Sequence, residues 1–282
     1  MKQSQFLEMP FVKSVFHPSD FSEASRNAFH HALAVALRRQ TRFIVLHAGG
    51  SRDSWLNFPP VRATLEKWGL LEKGSPRSAV FEELKIRVEK VQLGGLNPLG
   101  ATLGYLQKHP TDLIVLSTEG REGLPRWIKP SAAEKLAQKS QTMTLFVPAA
   151  ARGFVSPEDG SVSLKKILVP VDRTPSPLPA LEYATRITRM AEEPVQIILC
   201  HIGDSTTMPA LDLPESSHWT WGKEFRSGEV VDSIVQIANQ HNVDLIVMAT
   251  AGRDGILDAL RGSVTEQVLR KSSCPLLAVP GY

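Results

Sequence analysis

Ala249-Thr-Ala-Gly252, followed after nine residues by Gly262-Ser263, brings together the residue types from which a main-chain anion site is made. Small side chains after an apolar run leave backbone N–H groups unshielded. A Gly-Ser helix start adds free donors at the positive end of a helix, and this combination suits a phosphate. A damaged copy stands 132 positions earlier: Ser117-Thr-Glu-Gly120, nine residues, then Pro130-Ser131. Proline opens a helix comfortably, yet it donates no N–H and its ring fills the space a phosphate oxygen needs. Glu119 adds negative charge at the same rim and repels a triphosphate by about 1 kcal/mol at partial exposure. One half of the chain is equipped to hold a phosphorylated ligand and the other is disarmed.

Several of these residues carry a second reading. Gly252 and Gly262 also serve as turn and helix-opening glycines. Ser263 is a good helix N-cap, worth about 1 kcal/mol, and capping coexists with a phosphate contact. Asp172 either faces the ligand or caps a helix beginning near Leu178, and the Arg173-Thr-Pro-Ser-Pro run makes the intervening loop rigid. His47 and His201 close equivalent strands, and no set of further ligands accompanies them, so both read as structural and no metal centre is expected. His31 is expected at the polar edge of a helix. Trp219 and Trp221, two apart on a strand, share a face that reads as packing rather than ligand stacking.

Hydrolytic machinery is missing from the pattern. There is no Gly-x4-Gly-Lys-Ser/Thr to manage phosphates and magnesium, and no Gly-x-Ser-x-Gly nucleophile turn. A cradle of backbone dipoles, with Arg253 and Arg261 as candidate charge partners, holds a triphosphate without preparing an attacking water. No catalytic residue is assigned.

The elements that position these residues follow from periodicity. Phe43-Ile-Val-Leu46 is a continuous apolar run expected of a strand covered on both faces, whereas Ala28, Phe29, Ala32, Leu33, Ala36 and Leu37 fall on one helical face. Strand-helix-strand succession implies parallel sheets. The halves repeat: Phe16-His-Pro-Ser-Asp20 matches Leu168-Val-Pro-Val-Asp172, Leu46-His47 matches Cys200-His201, and Asp112-Leu-Ile-Val matches Asp244-Leu-Ile-Val. With 282 residues, two domains are expected, 1–150 and 164–282, joined by a linker over 151–163 whose Gly, Pro and Asp residues break any period. In the second half the stretch between Ile202 and Trp219 is short and interrupted by proline, so its second helix is shortened or lost. In the first half, Val61 to Trp68 supplies it.

Composition excludes several classes. Lys and Arg total 32 against 29 Asp and Glu, and their scatter leaves no nucleic-acid footprint. The two cysteines, Cys200 and Cys274, form neither a disulfide framework nor a CxxC pair. The N-terminus has no apolar signal core, and no apolar run approaches the roughly 18 residues of a membrane span, so a soluble, cytoplasmic protein without membrane contact is expected.

In the order Pro-x-Asp after the first strand, Asp-Leu-Ile-Val, and small-x2-Gly-x9-Gly-Ser, the chain resembles the universal stress protein family in its tandem form. Pro18-Ser-Asp20-Phe-Ser22 and Cys274-Pro-Leu-Leu-Ala-Val-Pro resemble members that bind ATP. The resemblance implies two α/β domains, each a doubly wound five-stranded parallel sheet of Rossmann-like, adenine nucleotide alpha hydrolase-like type. It also implies ATP across the carboxyl ends of the strands, with Mg or Mn through the phosphates where a cation accompanies it. Asp172 would hydrogen-bond the adenine or ribose side, Ile202 would offer backbone groups to adenine, and Val171 would pack nearby. Ala249, Gly252, Arg253, Gly262, Ser263 and Val264 would surround ribose and phosphates. Ala249 stands where the family has glycine, which weakens close approach. Asp20, Ala48, Ser117, Gly120, Pro130 and Ser131 would form the degenerate counterpart. The halves would pack as a pseudo-dimer, with a homodimer as the further assembly. The leading functional reading is a stress-response regulator binding an adenine nucleotide in its second half. The alternatives are a nucleotide-free scaffold or interaction protein and a slow ATPase.

Equilibrium titration of the exchanged motifs tests the asymmetry. Gly262→Pro is expected to abolish nucleotide binding by the second half, whereas Pro130→Gly alone restores little binding to the first because Glu119 and Ser117 remain.

Overall fold

A computed structural model of the chain describes residues 12–49, 52–118, 132–140, 142–149, 153–250 and 263–281. The chain divides into two compact units, Val12–Val162 and the unit containing Ser163–Tyr282. The first runs β1 (Ser14–Pro18), α1 (Glu23–Arg39), β2 (Arg42–Ala48), a 3-10 turn (Arg52–Asn57), α2 (Val61–Lys67), α3 (Ala79–Glu82), β3 (Arg87–Leu93), α4 (Pro98–Lys108), β4 (Leu113–Thr118), α5 (Ala132–Ser140) and β5 (Met143–Pro148). Its strands lie in the order β3-β2-β1-β4-β5, all parallel. The second runs β6 (Lys166–Pro170), α6 (Leu178–Ile187), β7 (Val195–Ile202), β8 (Trp219–Arg226), α7 (Val230–Gln240), β9 (Leu245–Thr250), α8 (Val264–Lys271) and β10 (Leu276–Pro280). Its order, β8-β7-β6-β9-β10, is the same doubly wound arrangement.

Central strands are apolar because both faces are covered: Phe43 to Leu46 and Leu245 to Val247 are buried throughout. Ser22 caps α1 by accepting from the Ser25 N–H, and Gln40 ends it in the left-handed conformation at φ 48°. The repeated Asp-Leu-Ile-Val motif has a structural cause in its aspartate. Asp244 Oδ2 accepts from the N–H groups of Lys165 at 2.8 Å and Lys166 at 2.9 Å, tying the start of β6 to the start of β9. Asp112 Oδ2 likewise accepts from the Lys13 N–H and the Ser14 hydroxyl.

The second unit has no helix between β7 and β8, yet the two strands pair in parallel along their whole length, from Val195 opposite Trp219 to Ile202 opposite Arg226. A side-chain anchor holds the connection. The indole N–H groups of Trp219 and Trp221 both donate to the Pro214 carbonyl, at 3.0 and 2.9 Å. This agrees with the packing role read from their spacing.

His31 corrects an expectation: it is fully buried, not at a polar edge. Residues 154–162, unreadable by periodicity, fold over it. The ring donates from Nδ1 to the Asn27 carbonyl at 2.8 Å, its Nε2 accepts from the Phe154 N–H at 3.1 Å, and the Phe154 ring meets it edge-on. The strap is closed by an antiparallel bridge between Val155 and Val162 and by the Trp68 indole donating to the Pro157 carbonyl. Gly160, at φ +71°, passes so close to Trp68 that a Cβ would lie 2.5 Å from the indole, so only glycine fits. Among the described residues no helix is long and apolar enough to cross a membrane.

Burial holds His17 and His31 neutral, pushing each from the ordinary 6.5 down to about 4. The unfolded chain therefore takes up protons that the folded unit refuses, and the stability guarded by these rings is complete above about pH 6.5 and lost as pH falls toward 4. Between pH 7 and pH 5 the first unit is expected to lose about 2 kcal/mol for each ring, read from its urea midpoint and slope.

Candidate functional site

Strand order reverses between β6 and β9, where open α/β sheets leave a crevice at their carboxyl ends. Pairing there is brief. Only Ile167 with Leu245 and Leu168 with Ile246 are in register, whereas β6 follows β7 over five positions. Beyond Leu168 the two strands separate, and a cleft of about 260 Å³ opens.

Val171 and Asp172 follow β6, Ile202 ends β7, Ala249 lies near the end of β9, and Ser263 and Val264 open α8; all six line this cleft. Gly252, Arg253, Arg261 and Gly262 lie outside the described residues. Val171 is fixed by its N–H, which donates to the Cys200 carbonyl at 2.8 Å. Asp172 is exposed and accepts from the Arg173 N–H at 2.7 Å through Oδ1. It does not cap α6, whose N-cap is Pro177 with no side-chain hydrogen bond. Ser263 caps α8, its hydroxyl accepting from the Glu266 N–H at 3.1 Å. Glu266, nearly buried, is satisfied by its ion pair with Arg270 one turn on.

Sequence reasoning missed part of the lining. Cys200, Met248 and Ile234 give the cleft an apolar floor, with Val230 beside Ile234 on α7. Their i, i+4 spacing marks one helix face but does not say that the face meets a cleft. Thr174, Pro175, Thr250 and Thr265 complete a rim rich in hydroxyls. Burial pushes the Cys200 thiol up to about 12, so it stays protonated and packs as a small apolar group rather than a nucleophile. The cleft thus offers an apolar surface to a flat apolar group and a polar helix start to something anionic.

In the first unit Asp20 and Ala48 hold the corresponding strand-end positions. Asp20 Oδ1 accepts from the N–H and hydroxyl of Ser22, at 3.0 and 2.6 Å. Phe21, at φ +65°, stacks on His47 with ring centroids 3.9 Å apart, and Phe58 meets its edge at 5.4 Å. The Ser117 hydroxyl is buried without a hydrogen-bond partner, a cost of about 1–3 kcal/mol. Gly120, Pro130 and Ser131 lie outside the described residues. His47 and His201 each face a carbonyl through Nδ1, of Ser19 at 2.7 Å and Val171 at 2.8 Å. No cluster of three His, Cys, Asp or Glu residues suited to a metal occurs among the described residues.

Two successive doubly wound α/β units, with a cleft at a strand-order reversal, define a tandem Rossmann-like protein. A sequence model of the universal stress protein family matches residues 12–148 and 220–280, well over half of the chain, and the chain belongs to that family. The interval between these stretches contains β6, α6, β7 and the helix-free connection, where the second unit keeps the fold with a divergent sequence. Universal stress protein MJ0531 of Methanocaldococcus jannaschii is 28% identical over 148 residues, 43% of this chain and 85% of that protein. Universal stress protein MJ0577 of the same organism is 44% identical over 48 residues, 17% of this chain and 30% of that protein. A universal stress protein structure from Archaeoglobus fulgidus superposes with a TM-score of 0.61 at 16% identity, covering 95% of this chain and 98% of the other. One from Pseudomonas aeruginosa gives 0.62 at 15% identity, covering 95% and 93%.

The cap at α8 gives a stability test. Ser263→Ala is expected to destabilise the second unit by about 1 kcal/mol in urea unfolding, and Ser263→Asp to retain the wild-type midpoint because aspartate caps equally well.

Proposed function

We propose that the second unit binds an adenine nucleotide, ATP or a close relative, and that occupancy makes the protein a regulator in the stress response. The observation that carries this reading is the convergence of Val171, Asp172, Ile202, Ala249, Ser263 and Val264 on one cleft at the strand-order reversal. The base would lie on the apolar floor of Cys200, Ile234 and Met248. Asp172 would accept from ribose hydroxyls or the base edge, and the N-terminus of α8 would receive the phosphates. A cation, Mg or Mn, would reach the site through the phosphates.

The regulatory output follows from mass action. A ligand that binds only the folded unit stabilises it by RT ln(1 + [L]/Kd), about 2.7 kcal/mol at a hundredfold excess over Kd.

Calorimetric titration with ATP and magnesium tests the reading, with saturable sub-millimolar binding at one site per chain as the expected result. Ser263→Asp is expected to remove binding while leaving the fold intact, because it keeps the cap and sets a carboxylate against the phosphates. Absence of saturation by ATP, ADP or AMP below millimolar would favour the nucleotide-free scaffold.

A further inference from the structure

We infer that His201 and Thr207 form a clasp that positions the rim of the second-unit cleft, an inference that rests on the reading of that cleft as a nucleotide site. His201 alternates with Cys200 and Ile202 along β7, so its side chain points to the face opposite theirs, away from the cleft. It is almost fully buried there. Its Nδ1 lies 2.8 Å from the Val171 carbonyl, which only accepts, so Nδ1 carries the proton. Its Nε2 lies 2.8 Å from the Thr207 hydroxyl.

Both partners flank the cleft in sequence. Val171 immediately precedes Asp172, and Thr207 stands in the loop that leaves the strand after Ile202. One imidazole therefore joins the β6 rim to the β7 rim. Gly203 makes the approach possible, since a Cβ there would sit 2.6 Å from Thr207 Oγ1 and 2.7 Å from His201 Nε2. Asp204 completes the loop, its Oδ1 accepting from the N–H groups of Thr206 and Thr207, while the single Thr207 hydroxyl proton lies between two acceptors, His201 Nε2 at 2.8 Å and the Asp204 carbonyl at 3.0 Å.

The first unit solves the same problem differently. His47 also faces a rim carbonyl through Nδ1, and the ring of Phe21 stacks on it. Phe21 directly follows Asp20, so in that unit the histidine anchors the aspartate loop from both sides. In the second unit Arg173 replaces the phenylalanine, and with no helix between β7 and β8 the return loop supplies Thr207 in its stead. Thr207 is not among the residues that line the cleft and is a positioning residue.

The test compares ATP affinity of the full chain with that of Thr207→Val, Thr207→Ser and Trp221→Phe. Thr207→Val keeps the shape and loses the hydroxyl, and is expected to weaken ATP binding about fivefold to tenfold. Thr207→Ser restores the hydroxyl and is expected to bind within about twofold of wild type. Trp221→Phe removes one indole bond to Pro214 from the far end of the same loop and is expected to leave affinity unchanged. Unaltered affinity in Thr207→Val overturns the clasp, as does an equal loss in Trp221→Phe, which would make the effect one of loop stability. Failure of the wild-type chain to bind ATP refutes the nucleotide site itself, a result distinct from either.

Discussion

The geometry of the second unit hangs on one carboxylate. Asp244 gathers the N–H groups of Lys165 and Lys166 and so fixes where β6 begins against β9. Carboxylate acceptors of this kind are charge-assisted and stronger than neutral ones. Since the two strands share only two paired positions, that anchor sets the register of a junction with little else to hold it. The separation of β6 from β9 beyond those positions is what gives the cleft its width. Asp112 holds the first unit in the same way, and its β1 and β4 also pair at two positions only. The duplicated device explains why the Asp-Leu-Ile-Val motif recurs in both halves: each aspartate ties the starts of two neighbouring strands together.

From this shared frame the halves diverge at their rims. In the first, Asp20 is bound to Ser22, Ser22 caps α1, and Phe21 lies on His47, so the loop after β1 is held by its own contacts. In the second, Asp172 is exposed, Arg173 stands where the first unit has Phe21, and the buried histidine meets Thr207 of the return loop instead. The missing helix is then more than a deletion. Its place is taken by a segment whose Thr207 meets His201 and whose Pro214 is held by two indoles, so β8 remains at the edge of a five-stranded sheet.

Much of this was legible in the chain. Apolar runs, helical faces, the tandem repeat and the lost helix depend on periodicity and on local chemistry, and strand alternation plus proline placement encode them directly. Six lining residues of the cleft were reachable because each sits at a fixed distance from a strand end or a helix start. Val230, Ile234 and Met248 were not, because their side chains reach the cleft from helix and strand positions that read as ordinary core.

Which residues could form strands, helices, caps and a helix start rich in N–H donors is written in the chain, since those properties belong to a residue and its near neighbours. Tertiary structure alone decided that His31 is buried under Phe154, that His201 links two loops, and that Cys200 lies inert beneath a cleft. Burial, protonation and hydrogen-bond partners at these positions come from segments distant along the chain. Local pattern carries no record of them, because the solvent each side chain loses is set by what folds over it.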